Sequence, residues 1–120
     1  MEAYLGHDKY SIQKHFVSHI EYSGGRSRFR FDKKTSALAI AKSLRDRLIE
    51  CWNDTMQQWT RLDAKRVYVM CPTYSLGKRI RSVLVNLCLE DAYREALADL
   101  GIKIDEIYDY EVEEASTKKG

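Results

Sequence analysis

The sequence predicts an α/β domain, mainly helical, with one long amphipathic helix, one clear strand and several short helices. Three observations carry that reading. Between residues 36 and 61, Ala37, Ala41, Leu44, Leu48, Trp52, Thr55 and Trp59 recur at steps of three and four, the period of one helix face. Residues 65–71, KRVYVMC, form a short β-branched and aromatic run of the kind buried on both faces of a sheet. Two shorter helical stripes follow, the second closed by Gly101.

The first element covers residues 11–22, where Ile12, Phe16, Val17 and Ile20 share one face. Asp8 or Ser11 supplies a capping oxygen for its first turn, and Gly24 and Gly25 end it. Residues 26–34, RSRFRFDKK, alternate basic and aromatic side chains, as a short strand or as an extended linker held by two aromatic anchors. Thr35 or Ser36 then opens the long helix, a rod of about 39 Å at 1.5 Å per residue. Ala37 and Ala41 leave room for a close neighbour, Leu48, Trp52 and Trp59 add bulk, and Asp46 and Glu50 can pair with Lys42 and Arg47. Pro72 stops the strand. A helix after Gly77 carries Ile80, Val83, Leu84 and Leu87; the next, from Glu90 to Leu100, aligns Ala92, Ala96, Leu97 and Leu100. Residues 102–111 form a short final helix capped by Asp105, so the domain spans 1–114 and a polar tail spans 115–120.

Composition narrows the function classes. A chain of 120 residues has room for one domain with a real core. Its 44% hydrophobic and 32% charged content is that of a soluble globular protein, and no apolar run approaches the roughly 18–20 residues of a membrane span. The N-terminus shows no basic start followed by an apolar block, so no signal peptide is read and the expected location is cytoplasmic. Cys51, Cys71 and Cys88 are odd in number and widely spaced, which predicts buried free thiols in a reducing compartment. Net charge is only +2, but residues 26–47 hold eight basic and two acidic residues (+6), while 104–114 hold six acidic residues and no basic one. These blocks read as solvated helix faces that meet partner charges in the fold.

The candidate chemistry is sparse. His15 and His19 lie four apart, a metal-compatible spacing, yet no Glu follows His15 and no third ligand is apparent, so the pair reads as a surface pair and no metal is assigned. No Cys-x-x-Cys, G-x-S-x-G, G-x-x-x-x-G-K-[ST] or G-x-G-x-x-G occurs. Gly77 and Lys78, at a helix start after a strand, form a candidate anion site through backbone amides and the helix dipole. The basic–aromatic run at 26–34 has the composition used for single-stranded nucleic acid, but one such run is too little to assign that partner. No catalytic residue is assigned.

The residue order between 16 and 68 is more specific than its pattern. Phe16-Val17-x-His19-Ile20-Glu21-Tyr22 is followed by Arg26-Ser27-Arg28-Phe29-x-Phe31-Asp32-Lys33 and Ser43-x-Arg45-Asp46-Arg47-Leu48-Ile49-Glu50. Trp52-Asn53-Asp54-Thr55 and Asp63-x-Lys65-Arg66-Val67-Tyr68 come next. This resembles the N-terminal region of the glycogen/starch (α-1,4-glucan) phosphorylases, and the likeness resumes at Val85-Asn86-Leu87, Leu89-Glu90-Asp91 and Ala96-x-x-x-Leu100-Gly101. It implies a partial phosphorylase N-terminal domain. The family so resembled is a cytosolic, dimeric enzyme that cleaves α-glucan by phosphorolysis to glucose 1-phosphate, using the phosphate of pyridoxal phosphate for proton transfer. The resemblance places the pyridoxal lysine in the C-terminal half of that longer enzyme, so no cofactor is expected on this chain alone. It also places Arg26, Phe29 and Phe31 in a dimer-contact region and Gln57 in an effector-nucleotide region.

The departures fall where the resemblance would put catalytic segments. Where the family reads Ser-Leu-Glu-Phe-x-Met-Gly-Arg, this chain reads Cys71-Pro72-Thr73-Tyr74-Ser75-Leu76-Gly77-Lys78, so Thr73 stands at the acidic position. A Leu-Gly-Asn-Gly-Gly loop expected near Thr117 is replaced by Thr117-Lys118-Lys119-Gly120, and lysines cannot follow glycine backbone geometry. Met56 takes the first place of a tandem Gln, Gln57 matches the second, and the aromatic shifts to Trp59. The resulting expectation is a truncated or degenerate glucan phosphorylase relative, inactive alone. The alternative is a dimerisation module that pairs with itself or with a full-length phosphorylase. A lone chain would leave apolar surface uncovered around Val67, Val69, Leu84 and Leu87.

Overall fold

A computed structural model describes residues 4–29, 31–71 and 79–117. Among the described residues five α-helices follow one another: α1 (Lys9–Ser18), α2 (Lys33–Arg61), α3 (Arg79–Asn86), α4 (Glu90–Asp99) and α5 (Ile104–Thr117). A single π turn, His19–Ser23, extends α1. Among the described residues there is no strand, which corrects the predicted α/β class to all-helical. Residues 64–71 form no regular secondary structure, and every one of them is exposed. The composition of KRVYVMC suits a sheet, but a strand needs a paired neighbour to satisfy its backbone, and the described residues offer none. The 26–29 stretch is likewise irregular, with a turn at Arg28 and Phe29.

Local signals explain the helix starts. The Asp8 carboxylate accepts from the Ser11 amide at 3.1 Å and caps α1. Asp32, rather than Thr35 or Ser36, caps α2: its carboxylate accepts from the Thr35 amide at 2.7 Å, and the helix begins three residues earlier than its apolar stripe suggests. Three helices end in the same way. The amides of Ala64, Leu89 and Ile102 reach back to the carbonyls of Trp59, Leu84 and Leu97 at 3.0, 2.9 and 2.9 Å, the six-to-one bond of a left-handed cap. The residue in the left-handed position is Asp63 (φ 48°), Cys88 (φ 56°) and Gly101 (φ 77°), so only one of the three endings carries the glycine that advertises it.

The core gathers Ile12, Phe16 and Ile20, Ala37, Ala39, Ile40 and Leu44 of α2, Leu84, and Leu89, Tyr93, Ala96 and Leu97 around α4, with Ile104 and Ile107 of α5 closing it. The α1, α3 and α4 stripes therefore face the core as their spacing predicts, and Tyr93 joins the smaller residues of the α4 stripe there. α2 divides in two. Its last buried residue is Arg47, and from Leu48 to Arg61 no side chain is buried. Leu48, Trp52 and Trp59 continue the stripe outside the core, and Trp52 is 57% exposed. The cysteines are all exposed, which overturns the buried-thiol expectation: Cys51 lies on the projecting half of α2, Cys71 on the coil and Cys88 at the α3–α4 turn. Of the apolar positions expected to be uncovered, Val67 and Val69 are exposed, whereas Leu84 is fully buried and Leu87 half-buried.

No helix among the described residues is long and apolar enough to cross a membrane. Pro72, Thr73, Gly77, Lys78 and the tail from Lys118 lie outside the described residues.

Candidate functional site

Polar side chains converge where α1, its π turn, α2 and α4 meet. His15 and His19 stand one turn apart with ring centroids 4.6 Å from each other. Both present Nε2 to one carboxylate oxygen of Asp46: His19 at 2.9 Å and His15 at 3.5 Å. Each Nδ1 meets a serine hydroxyl, Ser23 Oγ at 2.9 Å for His19 and Ser43 Oγ at 3.2 Å for His15. The Ser23 contact spans the π turn, a feature often found at functional positions in helices.

Behind the histidines lies Arg47, 2% exposed. Its Nη1, with two protons to share, lies within hydrogen-bond distance of Ser43 Oγ (2.8 Å), the Ser43 carbonyl (3.1 Å), Tyr93 Oη (3.1 Å) and His15 Nδ1 (3.1 Å), and its Nη2 donates to the Gly6 carbonyl at 2.8 Å. Nε has no partner. Burial, then the charges of His19 and Arg47, hold the His15 imidazole below its usual value of 6.5, against the pull of Asp46. Burial raises the Tyr93 phenol, partly offset by its bond to Ser43 and by Arg47. The sequence offered the His15–His19 spacing; Asp46, Arg47, Ser43 and Tyr93 come from other elements and carried no local signal. Asp46 was expected to pair with Lys42 and Arg47; it meets the two histidines and, at 3.7 Å, Arg45.

A second feature is apolar. Met56 and Trp59 of α2 and residues 64–68 line a cleft of about 470 Å³. Val67, Tyr68, Val69 and Met70 beside it are each about four-fifths exposed or more. Gln57 is exposed on the same half of α2. The residues assigned by resemblance to dimer contact separate: Arg26 is exposed, Phe29 is exposed beneath the Arg28 guanidinium, and Phe31 is half-buried against Phe16 at 5.7 Å. Gly77 and Lys78 are not described, but the next amides, Arg79 and Ile80, donate to the chain's own Glu111 at 2.9 and 3.2 Å.

No protein-family model matches the sequence. Glycogen phosphorylase 2 of Dictyostelium discoideum is 37% identical over 111 residues, 92% of this chain and 11% of that protein. The cytosolic α-glucan phosphorylase 2 of Arabidopsis thaliana is 34% identical over 90% of this chain and 13% of its own length. The chain is homologous to the glycogen and α-glucan phosphorylases. Glycogen phosphorylase of Saccharomyces cerevisiae is 31% identical over 83% of this chain and 12% of its own length. The chain thus spans about one-eighth of the length of the relatives it matches.

Proposed function

We propose that this chain derives from the glucan phosphorylases and that, as a 120-residue polypeptide, it does not perform the parent reaction, phosphorolysis of α-1,4-glucan to glucose 1-phosphate. The supporting observation is the 37% identity over 92% of the chain set against 11% of the relative. The setting of the described lysines supports the same reading for the cofactor implied by the resemblance. A lysine that forms an imine needs a desolvated setting to lose its proton, and none of the described lysines is buried. Lys9 is ion-paired with Asp99, which raises its pKa further. Purified chain supplied with pyridoxal phosphate, phosphate and glycogen is expected to release no glucose 1-phosphate and to show no imine absorbance. Turnover, or an imine band, would overturn the reading. A cytoplasmic location is part of the same proposal, supported by the cytosolic Arabidopsis relative.

A second reading, an interaction module, is favoured by the uncovered apolar shelf of Trp52, Trp59, Val67, Tyr68 and Val69. Its partner is a second copy or a full-length phosphorylase. Under that reading Arg26, Phe29 and Phe31 contribute to the contact and Gln57 lies near an effector nucleotide. Light scattering is expected to give a mass above that of the monomer, restored to the monomer by Trp59→Glu. A strict monomer that also fails to co-elute with full-length phosphorylase rejects the module.

A further inference from the structure

We propose that His15, His19 and Asp46 form a binding site for a divalent transition-metal cation of the zinc class. This inference does not depend on the phosphorylase reading.

The geometry comes first. Four ligand atoms held tetrahedrally at about 2.05 Å from zinc lie about 3.3 Å from one another. Here the two imidazole-to-carboxylate separations are 2.9 and 3.5 Å, and all three ligand atoms fall within 4.8 Å of one another. The two imidazole-to-carboxylate separations bracket the required edge. Two imidazoles and one carboxylate suit zinc, cobalt or nickel and leave a fourth position for water.

The surroundings fit as well. A histidine that ligates through Nε2 needs a partner to hold Nδ1–H and fix the ring. Ser23 Oγ and Ser43 Oγ stand at those positions, 2.9 and 3.2 Å away. A serine hydroxyl both donates and accepts. Without a cation, His19 Nε2–H donates to Asp46 while Ser23 donates to Nδ1; with one, Nε2 becomes the ligand and Nδ1–H donates to Ser23. At His15 the same change requires the Arg47 Nη1 protons to point to Ser43 and Tyr93, which they already contact. The positive guanidinium so close lowers affinity, but Asp46 supplies a compensating charge beside the cation. Side-chain exposures of 20, 15 and 33% for His15, His19 and Asp46 leave an entry path from solvent.

The test is zinc titration of chain in which Cys51, Cys71 and Cys88 are replaced by Ser, so that exposed thiols cannot bind the metal. One equivalent of zinc is expected to bind, and both the His15 and His19 side-chain nitrogen resonances are expected to shift together. Ser23→Ala is expected to weaken binding about 10-fold, within the usual range for an outer partner. His19→Ala and Asp46→Asn are expected to weaken it by more than about 100-fold, beyond that range. Histidine resonances unmoved by zinc, or equal affinity in all variants, would show that His19 and Asp46 form only a structural pair. The resonance experiment needs no substitution at the site, so misfolding of a variant cannot decide the outcome.

Discussion

Arg47 is the residue whose surroundings diverge furthest from its sequence. Written in an exposed-looking run of charges, it lies buried with neutral acceptors and an unpartnered Nε, and no carboxylate among the described residues reaches salt-bridge distance. A buried charge without a counter-ion is costly, whereas its aliphatic stem fills space in the core. Arg47→Met is therefore expected to keep or raise the thermal midpoint. Arg47→Ala, which also leaves a cavity, is expected to cost about 2–4 kcal/mol by denaturant unfolding. Asp32 gives a titratable counterpart. Its hydrogen bonds to Thr35 lower its carboxyl below the usual 3.8. A depressed carboxyl contributes stability that is present above the unfolded value and lost as pH falls through the folded one. Asp32→Asn keeps a capping oxygen that does not titrate, so melts of the two proteins are expected to coincide near neutral pH and to separate in favour of Asn below about pH 3.8. The capping role of Asp8 was legible because a short polar residue before an apolar stripe has few other uses. The His15–His19–Asp46 convergence was not, because its third member lies 27 residues from His19 on another helix.

At the level of elements, helix existence was written plainly and helix endings were not. Gly101 announced its left-handed cap, whereas Asp63 and Cys88 adopt the same conformation with side chains that disfavour it. Cys88→Gly is expected to stabilise the chain by up to about 1 kcal/mol, since the exposed thiol gives up no packing and the strain is relieved. Gly101→Ala is expected to cost at least about 1 kcal/mol, read from the shift in denaturant midpoint. The predicted strand failed for a different reason. Periodicity and composition report what a segment would bury, and a seven-residue run carries no information on whether a pairing partner is present. The same limit applies to the second half of α2, where Trp52 and Trp59 keep core spacing outside any core.

The whole molecule is accordingly a packed helical body with an unburied extension. Its radius of gyration is 16.1 Å, where a compact chain of this length has about 14 Å. Helices without tertiary support are marginal in water. Amide exchange is expected to be slow over residues 36–47 and fast over 50–61 in the lone chain, with a binding partner for the shelf slowing the latter. Equal protection along α2 in the lone chain would refute the division. The N-terminal residues set where that division falls. The Tyr4 and Leu5 amides donate to the Glu50 carboxylate, and the Gly6 carbonyl accepts from Arg47. Mechanically, α2 is a beam built in at one end, and this strap is the clamp. Residues 51–61 overhang by about 16 Å, and releasing one further turn adds about 5.4 Å. Tip deflection of a beam under a given load rises as the cube of its free length, so loosening residues 4–6 would more than double the sweep of Trp59 and the cleft beside it. Removal of a few N-terminal residues is thus felt most strongly some 50 residues away.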